Sequence, residues 1–230
     1  MIKLVILILF TSSTYAKTFN RMAFTVGGAT REQQVALDAS RFWQISETKF
    51  FFGTGVRLTS QWSQGQNFRT APAALTRGQS GLGAIFKPER KENIDDLTVG
   101  NSQVTSINVL AQILYRWKEN WSLGANIDLI GASFGRLRKG RYNPEREDGN
   151  WPSEVSARPT PFNLLLGDDN DKGSINSEVY VHHSLNDGWG LKLGVVHAFS
   201  EYTTTRKLRN NNDRFRKKNY LPTIGLTRFF

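Results

Sequence analysis

Residues 189–200, WGLKLGVVHAFS, alternate between two kinds of side chain, and this pattern decides the fold. One face carries large, mostly apolar side chains, those of Trp189, Leu191, Leu193, Val195, His197 and Phe199. The other face carries smaller or polar residues, Gly190, Lys192, Gly194, Val196, Ala198 and Ser200. A period of two residues is typical of a β-strand that separates two different environments. The stretch therefore predicts a strand with one apolar face and one mixed face.

The same alternation recurs along the whole chain. It is clear in residues 50–62, 105–117 and 121–129, and weaker in residues 19–28, 34–45, 175–185 and 218–230. Together with residues 189–200 these segments predict about eight strands. An even number of antiparallel strands is what single-chain barrels of bacterial outer membranes require.

The N-terminus has the pattern of an export signal. A positive charge at Lys3 precedes an apolar segment at residues 4–10, and small residues stand at Thr14 and Ala16. This order is typical of a cleaved signal peptide of the Sec type. The sequence predicts cleavage after Ala16, with residues 1–16 removed and residues 17–230 forming a single barrel domain.

Composition excludes several other classes of protein. After residue 16 no apolar run approaches the ~20 residues of a membrane-spanning helix, so a helical membrane protein is excluded. The 230 residues include no Cys, which rules out disulfides, Cys-ligated metals and a Cys nucleophile. Lys and Arg number 30 against 20 Asp and Glu, a net charge of +10. A basic chain can bind nucleic acid, but the export signal argues against a nucleic-acid partner.

The connections between the segments are short at one end and long at the other. Residues 46–48, 118–120 and 186–188 form tight turns, whereas long polar stretches cover residues 63–101, 136–173 and 204–217. This asymmetry favours a membrane barrel over a soluble sandwich. The predicted fold is all-β, a transmembrane up-and-down antiparallel β-barrel with long extracellular loops and short periplasmic turns.

In these features the chain resembles the small outer-membrane β-barrel proteins typified by the OmpA barrel and by OmpW-like proteins. The likeness covers the leader, the eight segments and the final strand. In that family a last strand ending in Phe, with apolar residues at alternate positions, is similar to the signal read by the barrel-assembly machinery; Ile224, Leu226 and Phe230 fit it, and Arg228 departs from it. The resemblance implies a protein of the Gram-negative outer membrane.

The inward face of the predicted strands carries charged residues of both signs. These are Arg21, Asp38, Arg57, Arg116, Asp128, Glu178, His182 and Lys192. The interior of an eight-stranded barrel is just wide enough for side chains to fill it, and buried charges need partners. The sequence therefore predicts a polar network that closes the lumen. A narrow passive channel, gated by the same pairs, is the alternative.

The last long loop holds most of the excess positive charge. Its cations are Arg206, Lys207, Arg209, Arg214, Arg216, Lys217 and Lys218. Clusters of this kind suit phosphate groups, so the stretch is predicted to contact lipopolysaccharide or another surface partner. A solvated basic surface that binds nothing in particular is the other interpretation.

Two patterns invite a catalytic or metal interpretation, and neither is supported. His182 and Ser184 resemble the His-x-Ser pair of lipid A deacylase barrels, but the alternation points both inward and places Glu201 at the far end of its strand. Residues 168–173 are rich in Asp, yet Lys172 occupies a ligand position of an EF-hand loop and the twelfth residue is Val179. The sequence predicts no catalytic residues, no metal site and no cofactor.

The predicted function is therefore a non-enzymatic one. We expect a structural or interaction role in the outer membrane, with lipid, lipopolysaccharide and the barrel-assembly machinery as partners. A porin-like passage for small solutes and a lipid A-modifying barrel enzyme remain as alternatives.

Overall fold

The computed structural model describes residues 17–167, 170–185 and 188–230. The predicted signal peptide, the Asp168–Asp169 pair and the turn residues Asn186 and Asp187 lie outside the described residues. The strands are β1 (Thr18–Ala29), β2 (Glu32–Gln44), β3 (Phe50–Thr70), β4 (Asp96–Lys118), β5 (Trp121–Phe134), β6 (Arg138–Asn143), β7 (Glu154–Pro159), β8 (Phe162–Leu164), β9 (Asn176–Ser184), β10 (Trp189–Thr204) and β11 (Arg214–Phe229).

Short helical turns lie between some of these strands. They are α1 (Ala73–Thr76) and the 3₁₀ segments Leu82–Phe86, Lys91–Asn93 and Arg209–Asn211. None of the helices in the described ranges is long and apolar enough to cross a membrane.

Eight of the strands close into a ring. The antiparallel order is β1, β2, β3, β4, β5, β9, β10 and β11, and β1 then pairs with β11 from Arg21↔Phe229 to Gly27↔Thr223. The prediction of an eight-stranded up-and-down antiparallel barrel is confirmed. Both ends of the ring's chain, at β1 and β11, lie at the end with the short turns.

The two faces of the wall have opposite character. On β10 the outward Leu193 is 59% exposed, whereas the inward Lys192 is 1% exposed. The same inversion holds on β3, where apolar Val56 and Leu58 are exposed and Arg57 between them is buried. An apolar outer surface around a buried polar interior is the arrangement of a membrane-spanning barrel.

A second, smaller ring stands on the loop end of the first. Residues 66–69 of β3 pair with the start of β4, which pairs with β6. In turn, β6 pairs with β7, and β7 pairs with the end of β10. The ring closes through β11, which pairs with β10 and, at Phe215↔Thr70 and Arg216↔Arg69, with β3. The loops predicted at residues 63–101, 136–173 and 204–217 thus contain strands or the ends of strands. Six such segments form the six-stranded ring.

The six-stranded ring has a hydrophobic core of its own. Its inward side chains pack into one cluster, Phe68, Leu97, Val99, Val104, Tyr142, Val155, Ala157, Tyr202, Leu208 and Phe215. The rings of Phe68 and Tyr202 meet edge to face at 5.1 Å between centroids. Burial of this cluster explains why the loop segments are ordered into strands.

Candidate functional site

The lumen is the candidate site, and aromatic side chains close it at the turn end. Phe19 stacks on Phe42 with 4.9 Å between ring centroids and meets Phe51 at 5.4 Å. Phe42, Phe51, Leu114 and Tyr180 form one buried cluster. We call these five residues the aromatic floor.

Two glycines make room for the aromatic floor. A Cβ atom at Gly53 would stand 2.7 Å from the Phe42 ring, and one at Gly124 would stand 2.2 Å from the Tyr180 ring. Neither distance is tolerated between real atoms. Because these wall positions lack a side chain, the large rings can pack directly against the wall.

Above the floor, Arg21 crosses the lumen to the opposite wall. Its guanidinium donates to the Tyr180 hydroxyl and to Gln112 Oε1, both at 2.7 Å, and lies 3.5 Å from Asp38. Ser40 also donates to Asp38, at 3.2 Å. The layer joins β1, β2, β4 and β9, so it ties four strands together through side chains.

The next layer is centred on Arg57. Arg57 donates to Asp128 at 2.6 Å and 3.1 Å, and lies 3.8 Å from Glu178. Glu178 in turn accepts from Lys192 and from Asn126, at 2.9 Å and 2.8 Å. Because all five side chains are buried, each charge depends on these partners for its stability.

The two layers are electrically balanced. They contain three cations, Arg21, Arg57 and Lys192, and three carboxylates, Asp38, Asp128 and Glu178. His182 is also buried and shares a hydrogen bond of 2.9 Å with Thr227. Seven of the eight predicted lumen residues therefore lie together inside the barrel.

Arg116 does not belong to this network, and its prediction as a member is wrong. Its side chain is exposed at the turn end, where the guanidinium lies 4.9 Å from the Phe51 ring centroid. The alternation points Arg116 inward, but its position near the end of β4 places it below the aromatic floor rather than above it.

Sequence reasoning missed a third ionic layer close to the loop end. Glu32 is buried and accepts from Lys217, Asn219 and Gln61. Gln61 also accepts from Ser200 at 2.6 Å. The alternation along β2 could have identified Glu32 if it had been followed back to residue 32. Residues 32, 34 and 38 are an even number of positions apart, so all three face the lumen.

The basic stretch at the loop end is mostly paired within the protein. Arg214 and Arg216 each lie 2.8 Å from Glu201, Arg209 lies 2.7 Å from Asp95, and Lys217 binds Glu32. The sequence predicts that the whole stretch contacts lipopolysaccharide or another surface partner, and these four cations are instead paired with carboxylates of the protein itself. Three remain exposed, Arg206, Lys207 and Lys218, and Lys207 pairs with Asp213 at 2.7 Å.

Asp95 organises the top of the six-stranded ring. It accepts from the Tyr142 hydroxyl and from Arg209 Nη2, both at 2.7 Å, and from the backbone N–H of Glu145 at 3.0 Å. Burial alone would lower the pKa of Arg209, but its hydrogen bonds to Asp95 and the Asp95 charge outweigh this and raise the pKa. Burial and the Asp95 contact raise the pKa of Tyr142. Both side chains therefore keep their protons across the physiological pH range.

The residues considered for catalysis and metal binding are far from such an arrangement. His182 bonds to Thr227 rather than to Ser184, and Glu201 is engaged by Arg214 and Arg216 at the other end of the barrel. Asp171 accepts from the backbone N–H groups of residues 166 and 167 and so shapes its loop. Across residues 17–167, 170–185 and 188–230, no three His, Asp or Glu side chains are grouped as metal ligands.

The C-terminal strand presents its apolar residues to the outside. Ile224, Leu226 and Phe230 are 53%, 43% and 66% exposed. Arg228 lies over the Trp189 ring at 5.1 Å and near Phe230 at 5.9 Å. An outward Arg at the turn end is therefore accommodated by aromatic side chains.

Strand pairing and the apolar outer wall define an eight-stranded, membrane-spanning β-barrel with a filled lumen. Among solved structures, the chain is similar to Ail, the attachment invasion locus protein of Yersinia pestis, crystallised with the heparin analogue sucrose octasulfate (10% identity, TM-score 0.34, 94% of this chain and 99% of that chain). It is also similar to Neisserial surface protein A (10%, 0.33, 93% and 98%). A third is a major outer membrane protein of Thermus thermophilus (10%, 0.37, 93% and 99%).

No protein-family model matches the chain, and no curated protein matches its sequence. The identities and TM-scores of the structural matches are low, so the class rests on the closed strand pairing itself. The small eight-stranded outer-membrane architecture predicted from the resemblance is confirmed.

Proposed function

We propose that this protein is a closed, non-enzymatic barrel of the Gram-negative outer membrane that displays a rigid structure outside the cell. The observation that carries the proposal is the filled lumen. An aromatic floor, three ionic layers and the hydrophobic core of the six-stranded ring lie in series along it. A lumen that side chains occupy at several levels favours an interaction role over transport.

The loop end supplies surface for such an interaction. Phe86 is 84% exposed and Leu137 is 57% exposed, and both lie beyond the apolar wall of the eight-stranded ring. Large apolar side chains in water-facing positions are typical of binding surfaces. We therefore assign contacts outside the cell to the six-stranded ring and its connecting loops, with the chain exported through its predicted signal peptide.

Conductance in a planar bilayer tests the closed lumen. We expect the purified, folded protein to produce no defined current steps, whereas a general porin inserted in the same bilayer shows that pores are detected. Reproducible steps from the wild-type protein would favour the alternative of a narrow passive channel and would remove this proposal.

The absence of enzymatic activity is tested on lipid A. We expect the mass profile of lipid A from cells that express the protein to match that of cells that lack it, because His182 and Ser184 do not meet. A new lipid A species lost on His182→Ala substitution would instead support the lipid-modifying alternative.

A further inference from the structure

The lipid-facing wall of the barrel contains a groove. Its floor is formed by small side chains, Ala111, Ala125 and Ser177, on β4, β5 and β9, and its volume is about 520 Å³. Larger side chains border it, among them Phe52, Val179 and Tyr220. The lining is almost entirely apolar, because these positions belong to the outward face of the strands.

The groove runs diagonally across the wall. The strand register links Phe52 to Ile113, Ala125, Val179 and Val195 in one row across five strands. Because barrel strands tilt by roughly 35–45°, such a row climbs from the turn end toward the loop end. The groove therefore begins near the 46–48 turn and ends higher, on β10 and β11.

The upper end of the groove is aromatic and then cationic. His197 pairs with Tyr220, and their rings stack at 4.6 Å. One step further up, Phe199 pairs with Lys218, whose ammonium lies 5.2 Å from the ring centroid. Arg216 follows on the same strand, where Glu201 holds it. The exposed cation nearest the groove is Lys218.

We propose that this groove and Lys218 form a binding site for one molecule of lipid A in the outer leaflet. The apolar groove takes an acyl chain, and Lys218 contacts a phosphate of the headgroup. The order of the surfaces along the wall supports lipid A as the occupant. An apolar groove in the hydrocarbon region leads up to a cation at the level of the phosphorylated headgroups. A soluble partner cannot reach the groove, since its lining lies on the membrane-facing wall.

The site differs from the basic loop predicted from the sequence. Four of the seven cations in that loop are bound to carboxylates of the protein itself. Lys218 belongs to both the predicted basic loop and the proposed groove site. In the groove site its ammonium group lies above the apolar wall, and Lys218 is the only member of the basic loop that takes part.

Two substitutions separate the parts of the site. Lys218→Gln removes the headgroup cation, and Ala125→Leu fills the floor of the groove. Each has a matched control on the outer wall of β2: Arg41→Gln removes an outward cation that lies over Trp43, and Ala39→Leu adds the same bulk at an exposed Ala. All four positions face outward, and heat-modifiable migration on a gel checks that each variant is folded.

The measurement is bound lipid per protein by native mass spectrometry, in micelles that contain lipid A or phosphatidylethanolamine. We expect Lys218→Gln to weaken lipid A binding about fivefold, the effect of one cation near an anionic lipid surface. It should weaken phosphatidylethanolamine binding less, because the phosphate of that headgroup is already neutralised by its own ammonium group. Ala125→Leu should weaken the binding of both lipids, because both use an acyl chain. Neither control should change either lipid.

Three results would overturn the proposal. The first is lipid A binding that is unchanged in both Lys218→Gln and Ala125→Leu. The second is an equal loss of bound lipid A in a variant and in its matched control, which would show that lipid adsorbs to the wall in general. The third is a dimer in the wild-type spectrum that Ala125→Leu abolishes, which would assign the groove to a second copy of this chain.

Discussion

Arg57 shows how single residues hold the barrel closed. It reaches from β3 to Asp128 on β5 and lies beside Glu178 on β9, so one side chain joins three strands across the lumen. Removing one partner of a buried ion pair leaves the other charge uncompensated. Residue identity in the lumen therefore matters more than on the lipid-facing wall.

Arg57→Ala should lower the free energy of unfolding by about 3–5 kcal/mol, because Asp128 would remain buried without its cation. The measurement is urea unfolding in lipid vesicles, followed by tryptophan fluorescence. The double variant Arg57→Met, Asp128→Asn should lose less free energy of unfolding than the sum of the losses in Arg57→Met and Asp128→Asn measured separately. Additive losses would show that the two side chains do not interact.

Asp96 lies beside Asp95 at the top of the six-stranded ring, and it should make part of the stability of this ring depend on pH. Partial burial raises the pKa of Asp96, as do the nearby charges of Glu145 and Asp95, against the opposing effect of Arg69. A raised pKa means that the folded state prefers the protonated form, so the favourable contribution exists at low pH and is lost as pH rises through the folded pKa.

Asp96→Asn should therefore stabilise the six-stranded ring at pH 7, by about 0.3 kcal/mol because the group is partly solvated. At pH values below the ordinary pKa of Asp the gain should vanish, since the wild-type residue is then protonated. Hydrogen exchange of the β4–β6 amides measures the difference. An equal gain at both pH values would contradict the assigned cause.

Which residues pair across the lumen was predictable only in part. The alternation along each strand identifies Arg21, Arg57 and Glu178 as inward, because facing is a property of the local pattern. Their partners depend on register and on the closing of the ring. Lys217 and Glu32 are 185 residues apart in sequence, so no local signal joins them, and Lys217 is mistaken for a surface cation.

At the scale of elements, long strands carry the two rings. β3 and β4 extend further toward the loop end than their neighbours β2 and β5. They pair with each other over this whole length, from Phe50↔Tyr115 to Arg69↔Asp96. The lower parts were predicted well because they alternate strongly. The upper parts were predicted as loops, because β6 and β7 are only six residues each and their strand pairing is set by the neighbours they meet.

The core of the six-stranded ring should be separable from the eight-stranded barrel. Phe68→Ala removes a fully buried ring, at a cost of about 3–5 kcal/mol to the structure around it. We expect the loop-end segments to become sensitive to protease, while the barrel keeps its heat-modifiable migration on a gel. The exposed neighbour Asn67 offers the control Asn67→Ala, which should leave protection unchanged. If protease protection and heat-modifiable migration are lost together, the two rings unfold as one cooperative unit.

At the scale of the whole molecule, the lumen is closed several times over. The aromatic floor and the hydrophobic core lie at opposite ends, with ionic layers between them. Closure at one level does not depend on closure at another, because each involves different side chains. Side chains at several levels of the lumen therefore support the proposed closed barrel over the alternative of a gated channel.

This redundancy predicts that no single truncation opens a passage. Phe68→Ala and Tyr202→Ala, tested one at a time in planar bilayers, should remain without current steps, because the layers of Arg57 and Arg21 still fill the lumen. Steps that appear in either single variant would show that the hydrophobic core alone blocks the lumen.

In the proposed orientation, the six-stranded ring is the part of the protein that antibodies outside the cell would meet. Its outer surface is assembled from pieces of β3, β4, the β6–β7 hairpin, β10 and β11, which lie far apart along the chain. An antibody that contacts two or more of these segments reads a discontinuous epitope. Peptides copied from one loop would lack the neighbouring strands that complete this surface, so a vaccine or a diagnostic reagent should use the folded barrel as its antigen.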